Sequence, residues 1–458
     1  MATTLEQLFQ QLHQNNVSVL SVDLGKNGRF VASLQQHLQA NNTTPGQLET
    51  LVENQAFHGG SWSRFNILIV SFLKYCKDVN PWSLWESSDL VFNYYQDLSN
   101  CLLNDSYPLE NLVGLFKDTS DYVIPLASRL DQHYQTMGTK QYQFLTHVSS
   151  IISKLFNSTK ARFDEPAKPF GELPGKQKIL LYIVNRLNNI YFKIDSASSC
   201  SNIFKNTKHK SMVERFSEYP AREQVEYRYL LGRYYLLNHR ISDSFHQLNS
   251  AFQMLAGQTT VSPQLQRNMY RVLKYLLPTG ILFGKVPATA MVARVSTELA
   301  QMYSGLIRVV KEGNIGGFNQ WLFTNERLLR RDKLLLVLLE KLPILIYRNL
   351  VRRVIATVVI PQGSNKIPYQ LIEHAVRFST GPSHAGMSPI YNTIHSSGNV
   401  ENILVTLINL SLFRGNCFPL NRMCVTMKTN NVNDIFPRVN EKIVAKFPLN
   451  NDDSWLDE

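Results

Sequence analysis

A chain of 458 residues, 44% hydrophobic and 18% charged, exceeds the size at which one core stops growing, so two or three packed units are expected. Its formal net charge of +12 calls for an acidic partner. No window approaches the roughly 18 uncharged apolar residues of a membrane span, the Gln-rich start lacks the apolar core of a secretion signal, and the five scattered cysteines (Cys76, Cys101, Cys200, Cys417, Cys424) lack the paired spacing of zinc or redox motifs, so a soluble, unsecreted protein with reduced thiols is expected.

Through residue 340 the chain reads as successive amphipathic helices of about 12 to 18 residues, with apolar side chains recurring at three and four. Residues 64–75, 85–103 and 141–156 are three of them, separated by Gly, Pro and Asn clusters that end helices. Gly25-Lys26-Asn27-Gly28 lacks the remaining glycine and Ser/Thr of a phosphate-binding loop and reads as a turn. A stretch with Pro166, Pro169 and Pro174 reads as a linker, dividing an N-terminal helical region (1–157) through 158–175 from a second helical region (176–343).

The clearest repeat signal is tetratricopeptide-like and lies in 227–255. Leu231-Gly232, Tyr235, Ser244, Leu248 and Ala251 stand at the offsets where two antiparallel helices need small residues at their crossing and large ones in the groove. Arg228 replaces the usual Trp and Ala256 the usual Pro, so the hairpin is a degenerate version of the repeat.

After Pro343 the pattern changes. A helix over 344–359, an extended piece at Lys366-Ile367, a helix over 368–378, a polar loop over 379–398, a helix over 399–413 capped by Asn399, and two strands at 416–418 and 422–427 joined by Pro419-Leu420-Asn421 follow the order of a winged helix. The expected fold is therefore an all-α helical-repeat, TPR-like superhelix followed by a C-terminal winged helix over 344–447, with 448–458 as an acidic tail.

Helical repeats running into a winged helix are the architecture of PCI proteins, found in the proteasome lid, the signalosome and translation initiation factor three. Within that family, Tyr275-Leu276-Leu277-Pro278, Gly284-Lys285, Gly313-Asn314, Leu338-Leu339-Glu340-Lys341-Leu342-Pro343 and Tyr347-Arg348-Asn349-Leu350 carry a resemblance to the PCI subunit of TREX-2, the messenger-RNA export complex at the nuclear pore, in its budding-yeast form. It extends upstream through Asn80-Pro81-Trp82-Ser83, Gly175-Lys176-Gln177, Leu187-Asn188-Asn189-Ile190-Tyr191-Phe192, Ser201-Asn202-Ile203-Phe204-Lys205-Asn206 and Tyr229-Leu230-Leu231-Gly232-Arg233-Tyr234-Tyr235, and downstream through the run from Asn399 to Leu410.

The resemblance implies a heterotrimer with a large scaffold related to the germinal-centre-associated protein and a small acidic subunit shared with the proteasome lid. It also implies a nuclear location at the envelope and pore, RNA or DNA bound jointly with the scaffold, and a role coupling transcription to messenger-RNA export. The alternative is a purely architectural PCI subunit of a lid, signalosome or initiation-factor assembly, whose basic face meets only acidic proteins.

Catalysis finds no foothold in the sequence. No Ser, His and acid set sits in a nucleophile-elbow context, and His374, His384 and His395 are spaced ten and eleven apart, off one helix face. No enzyme activity, cofactor or metal is expected.

The charge is what points to function. Residues 327–446 carry sixteen Lys/Arg against six Asp/Glu, and phosphate binding needs several cations on one surface. The candidate nucleic-acid-binding residues are Arg327, Arg330, Arg331 and Lys333 at the end of the repeats, and Arg352 and Arg353 on the first winged-helix helix. Arg414 after the third helix, Arg422 and Lys428 flanking the wing strand, and Lys442 and Lys446 on the last helix complete the set. Arg348 is read as structural, orienting that first helix. The third helix sits where a recognition helix would, but Leu404, Leu407, Ile408 and Leu412 dominate it, so binding by charge and shape is expected rather than base reading. The 379–398 loop, with Gly381, Gly386 and Pro389, has no assigned role.

Overall fold

The computed structural model describes residues 4–83, 85–104, 110–136, 141–161, 167–258, 262–381 and 398–458. Chain contacts form two compact units, Met1–Tyr227 with Ser454–Glu458, and Arg228–Asp453.

The first unit holds α1 (Thr4–His13), α2 (Leu24–Ala40), α3 (Pro45–Glu53), α4 (Ser63–Asp78), α5 (Ser88–Leu102), α6 (Glu110–Gln135), α7 (Gln143–Ser158), α8 (Gly175–Lys178), α9 (Leu180–Lys193), α10 (Cys200–Lys210) and the start of α11 (Ala221–Leu237). Local chemistry sets the starts. Thr44 and Gln47 form a reciprocal capping box with Pro45 at the first helical position of α3. The Asp23 carboxylate accepts from the Gly25 amide at 2.9 Å, so the Gly25-Lys26-Asn27-Gly28 run, expected as a turn, is instead the first turn of α2. Helices sequential in the chain pack on one another, α4 on α5 foremost, burying Leu68, Ile69 and Phe72 with Tyr94, Tyr95 and Leu98.

The division between units falls inside α11, not in the proline-rich stretch expected as a linker. The described part of that stretch is tied into the first unit: the Lys168 amide donates to the Met212 carbonyl at 3.0 Å, the Phe170 amide donates to the Glu218 carboxylate at 2.9 Å, and Leu173 is buried. Proline stops a helix but does not prevent an extended segment from packing. Ser454–Glu458, expected within an acidic tail, returns to the same unit and buries Trp455 and Leu456.

The second unit opens with the expected hairpin between α11 and α12 (Ile241–Ala256). A Cβ on Gly232 would lie 2.6 Å from Leu248 Cγ, and the Ser244 hydroxyl donates to the Gly232 carbonyl at 2.8 Å, which is why the pattern puts small residues at both offsets. Arg228, at the usual Trp position, is buried and donates to Gln247 Oε1 at 2.9 Å. Gly232→Ala should lower unfolding free energy by about 1–3 kcal/mol through overpacking, read as a lower denaturant midpoint at unchanged slope; an unchanged midpoint would mean that the hairpin opens without cost.

Then follow α13 (Pro263–Leu282), α14 (Thr289–Val295), α15 (Thr297–Glu312), α16 (Ile315–Arg331) and α17 (Leu335–Val354). A π-helical segment, Ile355–Val359, extends α17. The helix expected to begin after Pro343 starts earlier and runs through that proline, because Leu338, Leu342, Leu345 and Ile346 give one continuous buried stripe.

The winged helix is completed by β1 (Lys366–Pro368), α18 (Tyr369–Thr380), α19 (Gly398–Asn409), β2 (Asn416–Phe418), β3 (Met423–Val425), α20 (Val432–Ile435) and α21 (Val439–Lys446). The sheet order is β1-β3-β2, with both pairings antiparallel. The fold is thus helical repeats followed by a winged helix. α19 ends four residues before the expected Phe413, since Ser411 takes a left-handed conformation at φ 56°. Residues 382–397, with His384, Gly386, Pro389 and His395, lie outside the described residues, as does the Asn399 side chain proposed as a cap. Among the described residues no helix is long and apolar enough to cross a membrane.

Candidate nucleic-acid interface

The basic side chains of the second unit hang on a rigid joint. Arg348 is buried in α17 and donates through Nη2 to the Pro437 carbonyl at 2.8 Å, its guanidinium lying over the Phe436 ring. Burial, with Arg352 nearby, pulls its pKa down to about 10. This ties the first winged-helix helix to the segment leading into α21. Asn349 Nδ2 donates to the Val310 carbonyl at 2.8 Å, and the Asn314 side chain caps α16 by accepting from the Gly317 amide at 2.7 Å. The Tyr347-Arg348-Asn349-Leu350 and Gly313-Asn314 runs therefore meet where α15, α16 and α17 join.

At the end of α16 the four expected cations fare differently. Arg327 is exposed, whereas Arg330 Nε pairs with Glu326 at 2.6 Å and Arg331 Nε with Asp332 at 3.3 Å. The hydrogen bond to Asp332 raises the Arg331 pKa further, and Asp332, itself buried, also holds Lys274 at 2.5 Å. Lys333 is exposed in a left-handed turn. Arg330 and Arg331 are thus already matched with carboxylates, a pairing that charge counting could not see.

The structure brings Arg352 and Arg414 onto the same short helix. Arg352 donates to the Asn433 side chain at 2.9 Å, and Arg414 to the Asp434 carbonyl at 3.2 Å. Arg353 is exposed on α17. Lys446 donates to the Asn409 carbonyl at 2.8 Å, closing the C-terminus of α19 where a cation is favoured. Lys442 and Lys446 border an apolar cleft of about 420 Å³ that includes Leu345, Leu410 and Phe447.

The wing is the least paired cationic element. Arg422 sits exposed at φ 49° between β2 and β3, and Lys428 is exposed beyond β3. Lys366 on β1 joins them, its Cα partner in the register being Val425. The sequence reading missed it because a single lysine in a Pro/Gly/Asn stretch carries no signal until the strand pairing is known. Among the described residues, no ion pair involves Arg327, Arg353, Lys366, Arg422 or Lys428.

α19 turns Asn402, Val405, Thr406 and Asn409 outward and buries Leu404 and Leu407, so its exposed face has no cation for guanine and no bidentate pair beyond its two asparagines. The register also places Cys417 opposite Cys424 across the hairpin, although their spacing in the chain gave no motif. Burial, then the neighbouring Cys417, pushes the Cys424 thiol up to about 12, which keeps it protonated and unreactive at neutral pH.

No family model matches the chain. It is 46% identical over 98% of its length to the nuclear mRNA export protein THP1 of Saccharomyces cerevisiae, covering 99% of that protein. It is 30% identical over 52% of its length to PCI domain-containing protein 2 of Danio rerio (56% of that protein), and 24% identical over 61% to enhanced ethylene response protein 5 of Arabidopsis thaliana (62% of that protein). With helical repeats leading into a three-stranded winged helix and near-complete coverage of the yeast relative, the chain belongs to the PCI-domain family, in the branch of the nuclear mRNA export protein THP1.

Proposed function

We propose that this chain is a non-enzymatic scaffold subunit that couples transcription to messenger-RNA export at the nuclear pore, and that it binds RNA or DNA through the basic surface of its winged helix. The observation that carries the binding role is the charge of the strand-bearing segments. Residues 341–372 and 402–433 hold no Asp or Glu, yet hold Lys366, Arg353, Arg414, Arg422 and Lys428. The export role is supported by the similarity, along nearly the whole chain, to a relative whose name states it. The partners that complete the reading are a large germinal-centre-associated-protein-like scaffold, contributing a second winged helix to one platform, and a small acidic subunit, in a heterotrimer at the nuclear envelope. α19 serves as core and protein contact, and affinity comes from phosphates rather than base edges.

A salt series on an unstructured RNA tests the binding role. Reversal of Arg327, Arg353, Arg422 and Lys428 to Asp, on the full chain alone and co-purified with its partners, should flatten the slope of log affinity against log salt by about 3, from the roughly 0.7 contributed by each single-strand phosphate contact. An unchanged slope would assign these cations to protein interfaces and favour the architectural reading, for which the pairs at Arg330 and Arg331 already give a local precedent.

A further inference from the structure

The strand alternation divides the wing sheet into two faces. Ile367 and Cys424 are buried and, with Cys417, form the inner row; Lys366, Pro368, Asn416 and Phe418 face outward and are exposed. Pro368, Met423 and Phe418 are register partners, so the outer face bears one apolar row running across all three strands. It continues into the hairpin tip, where Leu420 is 99% exposed beside Phe418 at 46%. An apolar strip this open is unusual on a surface otherwise rich in charge.

What surrounds the strip argues for its occupant. Lys366, Arg414, Arg422 and Lys428 lie on or next to these strands, and the segments that build the sheet contain no carboxylate. An apolar row that carries Phe418, with Lys366, Arg422 and Lys428 on or next to its strands, matches a ligand with flat apolar faces on an anionic backbone. A duplex hides its base faces, whereas a single strand offers them for stacking.

We propose that the outer face of the wing is a stacking platform for unpaired bases, with Phe418 as the stacking residue, Leu420 as a wedge at the tip, and Lys366, Arg422 and Lys428 holding the flanking phosphates. The proposal rests on the nucleic-acid reading above and narrows its ligand to single-stranded segments. It also separates two contributions to affinity: the cations set the salt dependence, and the apolar row sets a preference for bases that salt does not remove.

An abasic oligonucleotide makes the two separable, because it keeps the phosphates and removes the bases. The full chain should bind an unstructured oligonucleotide about five-fold or more tighter than its abasic counterpart of equal length. Phe418→Ala and Leu420→Ala should each shrink that ratio without changing the salt slope, and Phe418→Trp should keep it. Leu420, being fully exposed, tests the strip without touching the core. Equal affinity for both oligonucleotides, or a ratio indifferent to both alanine variants, would overturn the platform while leaving salt-dependent binding intact. Absence of salt-dependent binding to either oligonucleotide would overturn the nucleic-acid reading as well and give the strip to a protein partner.

Discussion

Gly313→Ala should destabilise the second unit by about 2–5 kcal/mol. Gly313 ends α15 at φ 69° and ψ 32°, a left-handed cap that costs an L side chain about 1 kcal/mol. The larger part comes from what lies opposite: a Cβ there would sit 2.5 Å from the backbone nitrogen of Leu350 and 2.6 Å from its Cα. Backbone in the middle of a helix cannot swing aside as a side-chain end can, so α15 and α17 must separate. Separation breaks the Asn349 bond to the Val310 carbonyl and loosens Leu350, which is buried. Gly363→Ala is the matched control, since Gly363 has φ 66° and open space around the added methyl, leaving only the backbone cost. Chemical denaturation of the two variants isolates the collision. Equal midpoints would mean that the helix joint gives way freely and that the motif glycine serves conformation alone.

That joint also marks what the sequence could and could not disclose. Periodicity located the helices, and the order of helix and strand after residue 344 was enough to expect a winged helix, because short β-runs around Pro419-Leu420-Asn421 have few other readings. Proline was the weaker guide. Pro125, Pro278 and Pro343 all lie inside helices, where long buried apolar stripes outweigh one lost backbone hydrogen bond. The candidate interface was legible as a net charge but not as a set of free cations. Arg331 is matched by a carboxylate that also binds Lys274, fifty-eight residues away in sequence, and such pairing appears only with the fold. Lys366 was invisible for the converse reason, its role arising from a register with β3 rather than from any neighbour in the chain. Arg348 was separable from its basic neighbours because it stands inside the Tyr347-Arg348-Asn349-Leu350 run that carries the family resemblance, and it donates to the Pro437 carbonyl.

Trp455→Ala should cost the first unit about 3–5 kcal/mol, the range for removing a buried large aromatic, although the residue stands in a run whose composition reads as a solvated acidic tail. Its ring meets Phe216 edge-on at 5.0 Å and Tyr227 at 6.3 Å, and Phe216 in turn contacts Tyr219 at 6.0 Å, so the indole closes an aromatic cluster in which each edge-to-face pair adds about 0.5–1.5 kcal/mol beyond the area buried. Leu456 is buried beside it. The acidic neighbours do not oppose this packing: Asp453 accepts from the Tyr235 hydroxyl, and the Asn450 amide donates to Asp243 at 2.7 Å. Trp455→Phe should recover most of the loss by restoring one edge contact. Because a short segment far in sequence from the elements it packs on can detach without the rest unfolding, amide exchange at Phe216 and Tyr227 should be read beside the denaturant midpoint. Faster exchange there with a lowered midpoint places Trp455 in the cooperative core; faster exchange with an unmoved midpoint makes Ser454–Glu458 a clasp that opens on its own; and no change in either would remove the indole from the energetics of the unit.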